Sequence, residues 1–223
     1  MIFAPAFQPI KDVGTGSFVA AEVLARWNDE GRVLTPSSLL SQPHWGLVDM
    51  EVARFIQKNL HQCLDLYPTL FLNVSEHTLR SDVIFKAWTR VIHAIAQNHS
   101  GRFVIEITEG IQDASLASRW DALIETGVEL ALDDYGDKHS SLERLSGYPW
   151  RYCKFDARRL RSLEDYPAIV HCRRKGIQLI AEQVETFPLG ESAKLLGLSW
   201  QQGFFHGKPA VMDKHLNNVK ALP

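Results

Sequence analysis

An α/β fold of parallel strands covered by helices is the class this chain predicts, on three observations. Strand-like apolar runs alternate with helix-like segments along the 223 residues, the pattern of repeated βαβ units. Six or seven such units in this length point to a (β/α) barrel, with a doubly wound open sheet as the competing topology. Each run also delivers a polar residue near its C-terminal end, the end at which a parallel barrel builds its site.

The elements follow in order. Phe7–Ile10 and Phe18–Leu24 read as strands of a hairpin turned at Gly14-Thr15-Gly16, because glycine supplies the positive φ of a tight turn. No helix follows this GTG, which argues against a nucleotide loop. Thr35-Pro36 reads as an N-cap followed by proline at the first helical position. From Val48 to Leu64, apolar residues recur at three- and four-residue steps, an amphipathic helix in which Cys63 fills the core. Strand 70–74 precedes a helix over 82–97, and strand 103–107 precedes a helix over 114–127 that stops at Gly127. Strand 128–132 precedes the segment SSLERL, strand 152–155 a helix over 163–175, and strand 177–181 a helix over 188–196. A short strand around Trp200–Phe204 closes the series.

Composition limits the function classes. The chain is 45% apolar and 22% charged, ordinary for a soluble globular protein with a sizeable core. A net charge of −2 lacks the positive excess of a groove for long DNA or RNA, but a small anionic ligand held by local groups fits. Cys63, Cys153 and Cys172 are scattered, which suits a reducing compartment better than a disulfide framework. No signal peptide or membrane span is legible, so the expectation is a cytoplasmic protein with no membrane association.

Glu22, Asn73, Glu106, Asp133, Asp134, Lys154, Glu182 and Gln202 are the polar residues within or just after apolar runs. A carboxylate inside an apolar strand is costly unless paired or metal-bound. One of them alone reads as a structural ion pair; all of them on one face read as a site. Carboxylates with an asparagine oxygen form a hard donor set that suits Mg²⁺ or Mn²⁺. The adjacent Asp133 and Asp134 can serve two ions, one shared and one terminal, and paired ions promote in-line attack on phosphodiesters. Lys154 then orients the water or offsets phosphate charge.

These residues sit in motifs that resemble the EAL-domain family of cyclic di-GMP phosphodiesterases. The resemblance runs from Phe7 to Pro209 through EVLARW (22–27), LNVS, EITE, DDYG, KFD, AEQVET and QGFF, seven motifs in order. It implies one EAL domain over 1–223, folded as a TIM-like (β/α)8 barrel with an antiparallel first strand. It implies cleavage of cyclic di-GMP to linear pGpG with Mg²⁺ or Mn²⁺, two ions in all. By position, Glu22, Asn73, Glu106 and Asp133 would ligate one metal, and Asp133 with Asp134 would serve the second. Lys154 would hold the catalytic water, and Glu182 would act as base or second-metal partner. Arg26 would contact a substrate phosphate, with Gln8, Leu24 and Gln202 around the nucleotide. Glu109 would anchor the loop after the aspartates. The resemblance also implies a homodimer and leaves room for a regulatory protein partner.

Three departures stand out. EAL reads EVL, AEG reads AEQ at Gln183, and Lys138 stands where the family has glycine. If residue 138 needs positive φ, lysine adds strain of about 1 kcal/mol. The alternative reading is therefore a catalytically weak EAL domain that acts as a cyclic di-GMP receptor or protein-binding regulator. An enolase-like barrel is a third reading, disfavoured by the asparagine motif and the aspartate pair. Glu185 reads as a helix-start acid, His139 and His206 as surface or packing residues. The basic stretches 157–161 and 172–176 read as solvated helix faces, and Trp45, Trp88, Trp120 and Trp150 as core or rim anchors.

Overall fold

The computed structural model describes residues 1–39, 43–97, 102–162, 164–212 and 219–221. Its strands are β1 (Ile2–Phe3), β2 (Ala6–Asp12), β3 (Phe18–Leu24), β4 (Trp27–Asp29), β5 (Arg32–Leu34), β6 (Thr69–Val74), β7 (Arg102–Ile107), β8 (Glu129–Leu132), β9 (Tyr152–Asp156), β10 (Gln178–Glu182), β11 (Trp200–Gln202), β12 (Ala210–Met212) and β13 (Val219–Ala221). The helices are α1 (Trp45–Lys58), α2 (Leu60–Leu66), α3 (Glu76–Arg80), α4 (Asp82–Gln97), α5 (Asp113–Ile124), α6 (Leu142–Gly147), α7 (Tyr166–Lys175) and α8 (Phe187–Leu195).

The barrel runs β2-β3-β6-β7-β8-β9-β10-β11 and closes through a β11–β2 pairing, which settles the open-sheet alternative. Strand β2 is antiparallel to both β3 and β11, whereas the pairings from β3 through β6 and on to β11 are parallel. The antiparallel first strand is thus present. It follows from the hairpin at Gly16, whose φ of +79° only glycine adopts without strain.

Two layers of apolar side chains build the molecule. Alternate strand residues such as Phe7, Val23, Leu72, Ile105 and Leu179 face the helices and join Ile56, Trp88 and Ile169 in the main core. The residues between them point inward, where Ile10, Ala20, Phe71, Val104, Ala131, Tyr152 and Ile180 pack into a plug, with Trp200 against it. The period of two along a strand separates these layers.

Some boundaries differ from the sequence reading. The helix expected over 48–64 is two helices, broken at Asn59, whose side-chain Nδ2 donates to Phe55 O at 2.8 Å. Thr35-Pro36 opens a single 3₁₀ turn rather than an α-helix. The helix expected from 163 starts at Tyr166, and residue 163 lies outside the described residues. The small sheet β1-β4-β5 was not foreseen, being made of strands of two or three residues. Cys63 is buried in the core as expected, as are Trp88 and Trp150, with Trp120 packed 5.1 Å from Trp150. Trp45 is 38% exposed, on the wall of a hollow described below. No helix among the described residues is long and apolar enough to cross a membrane.

Candidate active site

Each inward-facing strand carries a polar residue two positions beyond its plug residue. The pairs are Ala20/Glu22, Phe71/Asn73, Val104/Glu106, Ala131/Asp133, Tyr152/Lys154, Ile180/Glu182 and Trp200/Gln202. In antiparallel β2 the order reverses to Gln8/Ile10, and Gln8 pairs in register with Glu22. Strand period thus lifts eight polar side chains into one layer directly above an apolar floor.

Lys154 is the hub of that layer. Its Nζ lies 2.6 Å from Glu106 Oε1, 3.0 Å from Asp133 Oδ1 and 3.5 Å from Glu22 Oε2, and it also contacts Glu182 Oε1. Lys154 and Glu106 are buried, at 1% and 0% exposure. Two amides hold Glu22 from either side: Asn73 Nδ2 donates to Oε1 at 2.7 Å and Gln202 Nε2 to Oε2 at 2.6 Å. Gln202 Nε2 also reaches Gln8 Oε1 at 3.3 Å.

Burial drives the protonation chemistry. It would push Glu22 up, but Lys154 and the hydrogen bonds from Gln202, Asn73 and Lys154 hold it below the usual carboxylate range. Glu106 and Glu182 lie well above that range, through burial and then repulsion from neighbouring carboxylates, against the pull of Lys154. Burial raises Asp133, and burial with the charge of Asp133 pushes Asp134 up to about 6. Burial alone would lower Lys154, yet Asp133, Glu106, Glu182 and Glu22 keep it well above the usual ammonium value. More acid is buried here than one ammonium can neutralise.

A divalent cation suits this donor set. One carboxylate oxygen from each of Asp133, Asp134 and Glu182 lies within 4.8 Å of the others. Glu106 Oε2 is buried without a hydrogen-bond partner among the described residues. Such an orphan oxygen is expensive unless a cation completes its coordination.

Loops hold these ligands in place. Ser75, two residues after Asn73, donates its N–H (2.9 Å) and Oγ (2.6 Å) to Asp49 Oδ2, and Thr78 Oγ1 adds a third bond at 2.5 Å. The buried Asp49 thereby ties α1 to the end of β6. In the aspartate loop, Ser140 Oγ donates to Asp133 O at 2.6 Å and Tyr135 N to Lys154 O at 3.0 Å. Gly136, at φ +92°, leaves room for Arg159, which pairs with Asp137 at 2.9 Å. Arg159 is therefore a loop support, not part of a solvated helix face.

Two of the three departures noted in the sequence, Lys138 and Gln183, sit at strained backbone, as does the matching Asp134, whereas Val23 does not. Lys138 has φ +39°, Asp134 +45° and Gln183 +54°. The cost at Lys138 is offset in part by its ion pair with Glu109 Oε1 at 2.5 Å. His139 N also donates to Glu109 O at 3.3 Å, a second bond between Glu109 and this loop.

A cavity of about 330 Å³ opens over the acidic layer. Gln8, Glu22, Leu24, Arg26, Asp133, Asp134, Lys154, Glu182 and Gln202 all line it. A wider, more apolar hollow of about 550 Å³ adjoins it, sharing Leu24 and reaching Asn73, Glu109, Lys138 and Trp45. Glu106 lies buried beneath the first cavity. Sequence reasoning did not place Phe204, Pro209 or Glu185 on the cavity wall. The QGFF motif carried a signal for Phe204. Glu185 carried none, because α8 begins two residues later with Thr186 as its N-cap. His139 is exposed, and His206 packs with its Nε2 2.9 Å from Gln201 Oε1.

The matched motifs and this geometry agree with a comparison against known families, in which residues 2–209 match the EAL domain. The chain belongs to the EAL domain family. Among EAL proteins, RocR of Pseudomonas aeruginosa, named a cyclic di-GMP phosphodiesterase, is 28% identical over 228 residues, covering 93% of this chain and 57% of RocR. The chain spans about half the length of the curated relatives it matches. The solved EAL domain of Mycobacterium smegmatis DcpA superposes with a TM-score of 0.70 at 24% identity, covering 93% of this chain and 92% of that one. Klebsiella pneumoniae BlrP1, solved as a manganese and cyclic di-GMP complex, superposes at 0.73 with 20% identity, covering 95% of this chain and 57% of that one. These superpositions establish the EAL barrel fold.

Proposed function

We propose that this domain hydrolyses cyclic di-GMP to linear pGpG. The observation that carries the reading is the convergence of Glu22, Asn73, Glu106, Asp133, Lys154, Glu182 and Gln202, from separate strands, into one bonded layer, of which Glu22, Asp133, Lys154, Glu182 and Gln202 line the cavity. The names of the curated relatives support the substrate. A pair of divalent cations held by Asp133, Asp134 and Glu182 together with Glu22, Asn73 and Glu106 would neutralise phosphate charge and supply a water of lowered pKa.

The chain's own residues do the rest. Asn73 and Gln202 fix both oxygens of Glu22, so that carboxylate is positioned before substrate arrives. Arg26 is half-buried on the cavity wall and donates Nη1 to Ala25 O at 2.7 Å. That bond holds the guanidinium beside the cavity, where its remaining N–H groups can take a phosphate. Lys154, held by four carboxylates, stays cationic and orients an attacking water beside them. Leu24 offers an apolar wall for a base, and the adjoining hollow gives room for the second nucleoside.

The test is direct. Purified protein is incubated with cyclic di-GMP and Mg²⁺ or Mn²⁺, and pGpG is followed. Turnover is expected, and Glu22→Ala and Asp133→Ala should each reduce it to background. Full activity in either variant would refute the site assignment. The strained Lys138 favours a second reading, a receptor with little turnover, which binding without pGpG formation would support. Neither binding nor turnover rejects both readings.

A further inference from the structure

We infer that Gln183 is a specificity residue that reads the edge of a purine base at the mouth of the cavity. The inference rests on the reading of this cavity as a cyclic dinucleotide site.

Three observations meet at this residue. Its backbone sits at φ +54°, a left-handed conformation that glycine adopts freely and a glutamine does not. Its side chain is exposed and lines the 330 Å³ cavity. Its amide makes no hydrogen bond with any described residue, so no polar bond of its own side chain offsets the strain. Lys138 shows the contrast, because its left-handed backbone comes with an ion pair to Glu109. Strain with no partner inside the protein points to a partner outside it.

The surroundings identify that partner. The backbone on both sides of Gln183 is fixed: Glu182 contacts Lys154, Val184 N donates to Gln202 O at 3.0 Å, and Phe205 N donates to Val184 O at 3.0 Å. The same two backbone bonds tie the Gln183 loop to that of Phe204, whose ring is 57% exposed and lines the same cavity. An exposed ring and an unbonded amide on the wall of one cavity, with Lys208 Nζ 5.8 Å from the ring centroid, suit a flat heterocycle, the ring against its face and the amide at its edge. A carboxamide presents a donor and an acceptor in one plane, as a purine edge does. The cationic groups that line the cavity, Arg26 and Lys154, are left to serve the phosphates.

Two variants separate this role from a backbone effect. Gln183→Ala removes the amide and keeps the left-handed strain; Gln183→Gly removes both. If the amide reads the base, KM for cyclic di-GMP rises about fivefold in both variants, the worth of one hydrogen bond, and kcat stays within about twofold. Calorimetric binding of cyclic di-GMP with Ca²⁺ in place of Mg²⁺ should weaken by the same factor, a readout independent of turnover. Unchanged binding in both variants, with the wild type binding normally, overturns the inference and leaves the proposed function intact. A change in Gln183→Ala that Gln183→Gly reverses assigns the effect to the backbone and overturns it as well. A wild-type protein that binds no cyclic dinucleotide rejects the parent reading and this one together.

Discussion

At Asp134 one carboxyl group shows how the site turns burial into chemistry. Its neighbour Asp133 and its own burial push it up to about 6. A carboxylate must lose its proton to hold a cation, so metal binding and protonation compete there. Above about pH 6 the group is ionised and available; below it, each pH unit should weaken divalent-cation binding by up to about tenfold. The stability sign is the reverse of the usual carboxylate case. A folded-state value above the unfolded one means that chelator-treated protein carries an unfavourable ionised Asp134 at neutral pH, and this destabilisation is relieved as pH falls through about 6. Calorimetric Mn²⁺ titrations between about pH 5 and pH 8 check the first statement; an affinity flat across that window would remove Asp134 from the ligand set. No histidine among the described residues lines the cavity, and the carboxyls of Asp133 and Glu182, also raised by burial, add to the same fall in affinity at low pH. The ligands themselves were legible in the sequence because each is a polar residue in an apolar run. The partners that orient them were less so. Asn73 and Gln202 gripping one carboxylate is a fact of barrel closure, which brings residue 202 within 2.6 Å of residue 22.

At the scale of an element, the loops after β8 and β10 carry what the sequence left obscure. Periodicity located the strands, but it says nothing of which basic residue folds back on which loop. Arg159 therefore looked solvated until Gly136 was seen to lie against it. The break at Asn59 was hidden for a similar reason, since apolar spacing continues across it while the Asn59 side chain caps the first helix by adding a second bond to Phe55 O. Gly203 is the opposite case, a glycine in a recognised motif whose reason is structural. A Cβ there would lie 2.2 Å from Val184 O and 2.4 Å from Val184 N. These are backbone atoms already bonded to Phe205 and Gln202, so they cannot move aside without breaking the tie between two site loops. Gly203→Ala should cost about 2–3 kcal/mol, the range of an overpacked interior. In a chain of this size that is a fall of about 5–10 °C in Tm, measured by calorimetry. A fall of less than about 2 °C would show that the loops separate easily.

At the scale of the whole molecule, the barrel interior is divided into an apolar floor and an acidic layer, and the floor is what makes the acid affordable. Phe71 fills the interior with its ring 5.1 Å from Tyr152, edge to face, and Tyr152 lies 5.8 Å from Trp200. These rings block water from below, so the carboxylates above them meet solvent only through the cavity mouth. Phe71→Ala removes the largest of the purely apolar plug residues. It should destabilise the fold by about 3–5 kcal/mol, part lost transfer and part cavity. Against a total stability of about 5–15 kcal/mol this is large, and Tm should fall by about 10 °C or more. Asn73, two residues further on, is held by the pairing of β6 with β7 in the register Asn73↔Glu106 and by the Ser75–Asp49 bonds beyond it. The upward shift of Tm on adding Mn²⁺ should therefore survive in the variant, because the ligand layer keeps its own supports. Loss of that shift together with the floor would mean that the two layers fold as one unit and that the plug positions the metal ligands as well as shielding them.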